Sequence, residues 1–497
     1  MKKYALSLLF TLIVIALQAG FPGENAAAAE NPAEKYVAEA RGTWIGMRKD
    51  GANWDSTMAA LANAGFNMVF PCMCSGGAAI YPSEFLPMVS GRDELDLCIQ
   101  AAHKYGIEVH VWRINWYMSQ CPDSFAVEME KAGRIQYSWD GKRNPEVMRE
   151  RGYKQNRDWL CPSQPENRKL EFDSMLELVK KYDVDGVHFD YMRFSNDQLC
   201  YCDKCRENFE KETGIETVWP EDVWKEGKYR EVYLDWRRSL IHSSAREIAR
   251  AVHMLDPYVC VSLAARTSVK WAYESDAQEW WAWIREGILD FVCPMNYTTN
   301  PEKFVTVMKS HLPLTRGAVP YYSGIGLYQM KEYTPFKKNV ELGRELGQDG
   351  FVTFELRTLL PELEESGSDL TSRPALLPHR APETRFILKS SGRESEEGFF
   401  IYSQGDSVKF ELSVMMTGKL KEGINRIQGD VALQRMNGET VSEIRSLDLE
   451  RSARKNMAIK CSQPGRYRLA LSGTMTLGTG KKKLFITKSF PFEVAAQ

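Results

Sequence analysis

The stretch that decides the fold is GVHFDYMRFS, residues Gly186–Ser195. It has the pattern of a short apolar strand whose C-terminal end carries an acid, a tyrosine and an arginine. A charged residue at the end of a buried parallel strand is costly unless it is paired. The same position is where barrel enzymes place their chemistry. Two interpretations of Asp190 therefore stand side by side, a catalytic acid and a structural acid satisfied by its neighbours.

Short apolar runs alternate with amphipathic helical patterns from about residue 38 to residue 370. The repeated strand–helix–strand order implies parallel strands joined by right-handed crossovers. Eight such units predict a (β/α)₈ TIM barrel of the α/β class. An open doubly wound sheet is the alternative, but its Gly-rich phosphate fingerprint does not follow the first strand. The expected strands are Arg41–Ile45, Asn67–Phe70, Glu108–Trp112, Gly186–Asp190, Val259–Leu263, Asp290–Pro294, Gly317–Tyr321 and Gly350–Phe354.

The pattern changes near residue 376, where short strands separated by Gly, Asn and Asp turns replace the helices. Several short strands without helices predict a small all-β sandwich. We expect a barrel over residues 30–375, a linker over residues 376–384 and a β-sandwich accessory domain over residues 385–497.

The first 29 residues match a secretory signal peptide. Two lysines precede an apolar run from Tyr4 to Leu17, and a small-residue stretch ends at Ala29. This is the order of a charged region, an apolar region and a cleavage site. The run is short for a membrane span. We expect cleavage near Ala29 and a secreted or periplasmic protein with no transmembrane segment in the mature chain.

Charge excludes one class of partner. The 497 residues carry a formal net charge of -2, with 64 basic and 66 acidic side chains. Such a balance provides no electrostatic footprint for nucleic acid or for an anionic membrane surface. We therefore expect no nucleic-acid partner.

Two acids close predicted strands, Asp190 after strand four and Glu355 after strand eight. Barrel enzymes that cleave glycosidic bonds use two carboxyl groups from different strand ends. Asp190 is accordingly the leading candidate for a catalytic carboxylate, and Glu355 is its candidate partner. The structural alternatives are an ion pair of Asp190 with Arg193 or Arg266, and a capping role of Glu355 for a helix expected over residues 358–365.

Aromatic and amide side chains cluster near the predicted strand ends. Sugar rings stack on Trp and Tyr faces, while polar groups orient the ligand. For any single aromatic residue, a place in the core is the alternative. The candidate substrate-binding residues are Asn115, Trp116, His188, Tyr191, Arg193, Asn296, Tyr297 and Tyr322.

Cys200, Cys202 and Cys205 lie close together in a long connection after strand four. Three thiols at this spacing suit a structural zinc site that needs one more ligand, for which Cys121 and Cys161 are candidates. In an exported protein a disulfide is the competing interpretation. We expect no cofactor for catalysis, since no His-rich open site accompanies the motif.

Six segments of the barrel region carry a family resemblance. They are ARGTW (40–44), GFNMVF (65–70), AHKYGIEVHVW (102–112), WLCPS (159–163), YDVDGVHFDYMRF (182–194) and DFVCPMNY (290–297). In these segments the chain resembles glycosyl-hydrolase-like family 10, formerly domain of unknown function 187. The resemblance implies an exported (β/α)₈ glycosidase-like protein, with some members implicated in cleaving bacterial cell-wall glycan.

The resemblance also bears on single residues. Asp190 occupies the position of the family's strand-four acid. Some relatives place a second acid directly after it, whereas this chain has Tyr191. The cysteine-rich insertion departs from the simplest members, and the tail beyond residue 380 lies outside the resemblance.

The combined expectation is an exported glycoside hydrolase that cleaves glycosidic bonds in a polysaccharide, with cell-wall glycan as the candidate substrate. Paired carboxylates at the C-terminal face of the barrel would carry the reaction. The alternative is a non-catalytic barrel that binds a glycan or a protein, with the β-sandwich as its docking module.

Overall fold

The computed structural model describes residues 32–315, 317–330, 332–355, 368–395 and 398–496. The predicted signal peptide over residues 1–29 lies outside this part, as does the helix expected over residues 358–365. None of the helices among the described residues is long and apolar enough to cross a membrane.

Eight parallel strands form the first part of the chain. Their order in the sheet is β6-β5-β4-β3-β2-β1-β8-β7. A parallel bridge between Val292 and Tyr321 brings the two outer strands together, so the sheet is nearly closed. The predicted (β/α)₈ barrel is confirmed. The strands are β1 (Ala40–Ile45), β2 (Met68–Ser75), β3 (Glu108–Ile114), β4 (Gly186–Asp190), β5 (Cys260–Ala265), β6 (Phe291–Pro294), β7 (Tyr322–Gly326) and β8 (Gly350–Phe354).

One strand lies later in the chain than the sequence pattern predicted. The expected run Gly317–Tyr321 is a loop, and β7 begins at Tyr322. Gly317 adopts a left-handed φ of 69° and Pro320 has no N–H to donate to a ladder, so the run forms no continuous strand and Tyr321 makes only the bridge to Val292. Tyr322 consequently starts its strand, at the end of the barrel opposite to Asp190.

Helices surround the barrel and fill two long connections. The side chains of Asn53 and Asp93 cap the first two helices by accepting backbone hydrogen bonds, and Gly347 in the left-handed region ends the last. The helices are α1 (Trp54–Asn63), α2 (Glu94–Lys104), α3 (Asp123–Lys131), α4 (Asn144–Glu150), α5 (Pro165–Lys181), α6 (Asp203–Thr213), α7 (Arg230–Leu255), α8 (Val269–Glu274), α9 (Trp280–Arg285), α10 (Pro301–Thr315) and α11 (Tyr333–Leu346). Short helical turns occupy Pro32–Lys35, Leu327–Gln329, Ser368–Thr371 and Pro378–Arg380.

The C-terminal region is all-β, as predicted. One sheet has the order β9-β11-β14, and the other has the order β10-β17-β15-β12-β13 with β16 paired to β15. Buried side chains of both sheets, such as Phe410 and Leu471, form one apolar core, which is the arrangement of a sandwich. The strands are β9 (Thr384–Leu388), β10 (Phe400–Ser403), β11 (Ser407–Val414), β12 (Ile424–Arg435), β13 (Thr440–Leu449), β14 (Ala453–Lys460), β15 (Gly465–Leu477), β16 (Lys482–Lys488) and β17 (Phe492–Ala495). The domain limits expected from the sequence stay a prediction.

Residues 378–380, within the expected linker, close the bottom of the barrel. Arg380 donates to both carboxylate oxygens of Glu108 at the start of β3, over 2.7 and 3.0 Å. The imidazole of His379 bridges the same carboxylate, at 3.0 Å, and the hydroxyl of Tyr322, at 2.8 Å. Burial alone would raise the pKa of Glu108, but Arg380 and hydrogen bonds from His110 and His379 hold it well below its ordinary value. The joint between the two regions is therefore ionic and buried.

We expect Arg380→Met to lower the free energy of unfolding by about 3 kcal/mol at neutral pH, because Glu108 loses its cation in a nearly buried site. A depressed carboxyl pKa stabilises the fold above the unfolded pKa, and this contribution is lost as the pH falls through the folded pKa. The deficit of the variant should therefore shrink in acid. Urea unfolding of the full chain at several pH values measures both effects.

Arg385→Met provides the matched control, since Arg385 is exposed and pairs only loosely with Glu383, at 3.5 Å. Its effect should stay within about 0.5 kcal/mol. Equal unfolding curves for the two variants would contradict a structural role of the joint.

Candidate active site

Asp190 ends β4 at the C-terminal face of the barrel and is 4% exposed. Its Oδ1 accepts a hydrogen bond from the backbone N–H of Tyr191, at 2.8 Å, and its Oδ2 accepts one from the indole N–H of Trp112, at 3.1 Å. The backbone carbonyl of Asp190 accepts from the N–H of Asn115, at 2.7 Å. Two directed donors thus hold the carboxyl group in one orientation.

Among the described residues, the cation nearest to Asp190 is Arg193, whose Nη1 lies 3.6 Å from Oδ1. At this distance the two groups form an ion pair without a short hydrogen bond. Burial raises the pKa of Asp190, and Arg193, the Tyr191 N–H and the Trp112 N–H only partly oppose it. The arginine also lies 3.9 Å from Asp276, a second buried acid whose pKa burial raises. One guanidinium is therefore shared between two carboxyl groups.

A small cavity of about 160 Å³ lies beside Tyr191 and Arg193, while Asp190 itself is not among the residues that line it. Ligand pockets for drug-sized molecules hold roughly 300–1,000 Å³, so this cavity has the size of a subsite for one ring. Aromatic faces and guanidinium groups line it, a combination that can stack on a sugar ring and donate to its hydroxyls. The lining includes Tyr153, Trp159, Tyr191, Arg193, Arg266 and Trp271.

Tyr191 forms one wall of this cavity in a strained conformation. Its φ of 57° lies in the left-handed region, which a non-glycine residue adopts at a cost that the surroundings must offset. The ring contacts Trp159 at 5.1 Å and stacks on Tyr117 at 5.8 Å, and the guanidinium of Arg193 lies 4.4 Å over it. These contacts hold both Tyr191 and Arg193 beside the carboxyl group of Asp190.

Glu355 directly follows β8, and three strands separate β8 from β4 in either direction around the barrel. The two acids therefore stand on opposite sides of the same face. Glu355 is half-buried, and its Oε2 accepts from the N–H of Gly46, at 3.4 Å. Next to it, the ring of Tyr297 stacks on Phe354 at 5.7 Å. Tyr297 is half-buried, at the rim of this side.

Asn115 and Trp116 lie deeper in the protein than residues that contact a substrate. Both are fully buried, and the carboxylate of Glu171 on α5 accepts from the Asn115 amide, at 2.8 Å, and from the Trp116 N–H, at 3.0 Å. The same carboxylate accepts from Arg113 Nε, at 2.7 Å. Trp116 belongs to the apolar core between barrel and helices. The structure therefore gives these two residues a supporting position behind Asp190.

Three other predicted substrate-binding residues point away from the cavity. His188 is buried inside the barrel, where Nε2 accepts from Trp44, at 3.0 Å, and Nδ1 contacts the hydroxyl of Ser262, at 2.8 Å. Burial lowers the pKa of His188 well below its ordinary value, so it is a neutral core histidine. Asn296 donates to the hydroxyl of Tyr321, at 2.9 Å. Tyr322 bonds to His379 at the opposite end of the barrel.

The structure brings the three predicted metal ligands together with a fourth thiol. Cys200, Cys202 and Cys205 lie around Cys161, and all four side chains are buried. Cys121, the other candidate from the sequence, is outside this group.

Sequence patterns missed three residues that shape the site. Asp276 lies in the connection between α8 and α9, where no strand end marks it as a site residue. Trp112 ends the predicted strand Glu108–Trp112, and nothing in the pattern pairs its indole N–H with Asp190. Glu171 did leave a signal, since it shares the buried face of α5 with Ser174, Met175 and Leu178. An acid on an apolar helical stripe indicates a buried partner.

Comparisons with known sequences match the barrel region of this chain to one family. The sequence model of the family described as Glycosyl hydrolase-like 10 matches residues 39–333, more than half of the chain. Glycosyl hydrolase DigH of Escherichia coli K12 is 24% identical over 270 residues, which are 48% of this chain and 56% of that protein. Glycosyl hydrolase YngK of Bacillus subtilis strain 168 is 22% identical over 360 residues, with coverages of 63% and 65%. The chain thus spans less than two thirds of either relative.

Two solved structures show the same fold. The glycoside hydrolase domain of PgaB (BpsB) from Bordetella bronchiseptica has a TM-score of 0.54 at 12% identity, covering 67% of this chain and 99% of that one. Alpha-L-fucosidase isoenzyme 2 from Paenibacillus thiaminolyticus has a TM-score of 0.50 at 12% identity, covering 88% and 74%. At these identities the likeness concerns the fold alone.

Glu171→Gln should destabilise the protein by about 3–5 kcal/mol, because it leaves the buried guanidinium of Arg113 without its counter-ion. Glutamine keeps one oxygen, which can accept either from the Trp116 N–H or from Asn115 and Arg113, because these donors contact different oxygens of Glu171. The loss therefore combines the missing charge with one lost set of hydrogen bonds. Chemical unfolding of the full chain measures it.

Glu166→Gln on the same helix is the control, since Glu166 is exposed. It should change the free energy of unfolding by less than about 1 kcal/mol. A stable Glu171→Gln protein would show that Glu171 does not support the loop behind Asp190.

Proposed function

Because this chain belongs to the glycosyl hydrolase-like 10 family, we propose that it is a glycoside hydrolase that cleaves glycosidic bonds in a polysaccharide. The observation that supports this best is Asp190 itself. It is a buried acid with a raised pKa, its neighbours Tyr191 and Arg193 line an aromatic cavity, and the nearest cation among the described residues is 3.6 Å away. A structural acid in a close ion pair would instead have a lowered pKa and a cation within hydrogen-bond distance.

In this proposal Asp190 is the general acid. A raised pKa favours the protonated form of the carboxyl group, which can donate its proton to the leaving oxygen as the glycosidic bond breaks. The carboxylate that results meets the N–H groups of Tyr191 and Trp112 and the charge of Arg193. These three groups stabilise the product form of the acid more than its starting form.

Glu355 is the proposed partner, as base or nucleophile. It directly follows β8 and so lies on the same face as Asp190 but across the barrel. The two catalytic carboxyl groups of a glycosidase must flank the glycosidic bond that they cleave. Tyr297 beside it and Tyr191 beside Asp190 are proposed to contact sugar rings on the two sides. Arg193 is proposed both to contact sugar hydroxyls and to set the charge of Asp190.

The proposal extends to substrate and location. The family resemblance makes cell-wall glycan the first substrate to test, and the signal-peptide pattern of residues 1–29 supports a secreted or periplasmic protein. A secreted form whose measured mass corresponds to a chain that starts near Glu30 would agree with export.

Asp190→Asn should reduce turnover by about 10²–10⁴-fold, because it removes the proton donor while keeping the shape of the side chain. Release of reducing ends from denuded peptidoglycan and from a panel of polysaccharides measures turnover. The melting temperature of each variant checks folding.

Asp173→Asn is the matched control, since Asp173 lies on the outer helix α5 and pairs with Lys169. It should keep full activity. A folded and fully active Asp190→Asn protein would refute the proposal. A wild-type protein that binds a glycan of the panel without cleaving any would favour the non-catalytic barrel.

Arg193→Gln should move the alkaline limb of the pH–activity profile to higher pH. A general acid loses activity as the pH rises through its pKa, and removing the nearby cation raises that pKa further. The profile of kcat/KM over pH measures the shift.

Arg206→Gln removes the same charge from an exposed position on α6 and should leave the profile in place. If Asp190 instead acts ionised, as a nucleophile, the acid limb moves to higher pH in Arg193→Gln and the assignment of roles is reversed.

A further inference from the structure

Four cysteines from two long connections meet beside the barrel. Cys161 precedes α5, while Cys200, Cys202 and Cys205 lie between β4 and the first turn of α6. All four Sγ atoms lie within 4.8 Å of one another, and all four side chains are buried. Their geometry is independent of the proposed reaction.

The distances between the sulfurs fit ligands of one tetrahedral ion. Cys161 Sγ is 3.4 Å from Cys205 Sγ and 3.8 Å from Cys202 Sγ. Zinc–sulfur bonds of about 2.3 Å at tetrahedral angles place neighbouring sulfurs about 3.8 Å apart. A disulfide would require a separation of about 2.0 Å. The compact group also fits a single ion better than a polynuclear iron–sulfur cluster.

Polar groups around the sulfurs suit thiolates. The hydroxyl of Ser163 lies 3.1 Å from Cys161 Sγ and 3.3 Å from Cys205 Sγ, and it is fully buried. Cys202 is the residue that precedes the first turn of α6, and Cys205 lies within that turn. The N-terminus of a helix presents free N–H groups and a partial positive charge, both of which stabilise thiolate sulfur. Such outer contacts orient metal ligands and offset their charge.

We infer that Cys161, Cys200, Cys202 and Cys205 bind one zinc ion in a closed, structural site. Four protein sulfurs complete a tetrahedral coordination shell, so no position is left for water or substrate. Soft thiolate ligands in this geometry select zinc over the hard cations magnesium and calcium.

The zinc site would hold two connections together at the active-site face of the barrel. It joins the connection that follows β3 to the one that follows β4, at a point two residues beyond Trp159. The ring of Trp159 packs on Tyr191, the wall of the cavity next to Asp190. The ion would therefore stabilise the position of this wall without taking part in the reaction.

The decisive measurement is the metal content of the purified full chain by inductively coupled plasma mass spectrometry. One zinc per chain is expected, released in step with thiol modification by an organomercurial. Protein without metal, protein with iron in place of zinc, or a mass-spectrometric disulfide between any two of the four cysteines would overturn the inference.

Two matched variants separate the candidate ligands. Cys161→Ser should lose the zinc, whereas Cys121→Ser should retain one ion per chain although Cys121 is buried in the same long connection. Zinc that persists in Cys161→Ser or disappears in Cys121→Ser would contradict the ligand set.

Cobalt substitution of the wild-type chain covers the case in which Cys161→Ser fails to fold. Tetrahedral thiolate ligation should give intense sulfur-to-cobalt charge-transfer absorption in the near ultraviolet and d–d bands in the red. A cobalt-loaded protein without these bands would exclude a four-sulfur site.

Discussion

The removal of carboxylates from water is the constraint on which this barrel depends. Glu108 at the bottom and Glu171 behind the wall each accept a hydrogen bond from an arginine at 2.7 Å. Such a contact offsets the cost of burying the charge, and the acid then serves the fold. Asp190 is also buried, with 4% of its surface exposed, but its arginine stands back at 3.6 Å and is shared with Asp276. The fold therefore satisfies the first two acids and leaves the third inclined to hold a proton.

Much of the barrel could be predicted because strands buried on both faces are continuous apolar runs bounded by turns. β4 and β8 occupy the predicted residues Gly186–Asp190 and Gly350–Phe354. The position of β7 could not be read in the same way, since apolar residues lie on both sides of Pro320 and pairing with β8 decides the register. The role of Arg380 has no local signature at all, because its partner is 272 residues away.

The residues of the candidate site also fall into those that a local pattern can identify and those that it cannot. Asp190, Tyr191 and Arg193 could be selected from one segment, and the structure places them together. Their supports come from other elements, as Glu171 does from α5 and Asp276 from the connection after β5, and spacing along the chain cannot reveal such pairs. His188 illustrates a second limit. It shares a strand face with Asp190, but periodicity gives the face of a residue and not its depth along the barrel axis.

The buried arginine at the foot of the barrel also affects how such proteins can be recombined. Accessory modules are often exchanged between genes at the stretch that separates two domains. Here that stretch contains His379 and Arg380, which complete the ionic floor of the barrel. A crossover upstream of Pro378 would deliver a barrel with an open floor and a Glu108 that has lost its cation. Crossovers downstream of Arg380 would keep this ionic floor in the barrel when a foreign C-terminal module is attached.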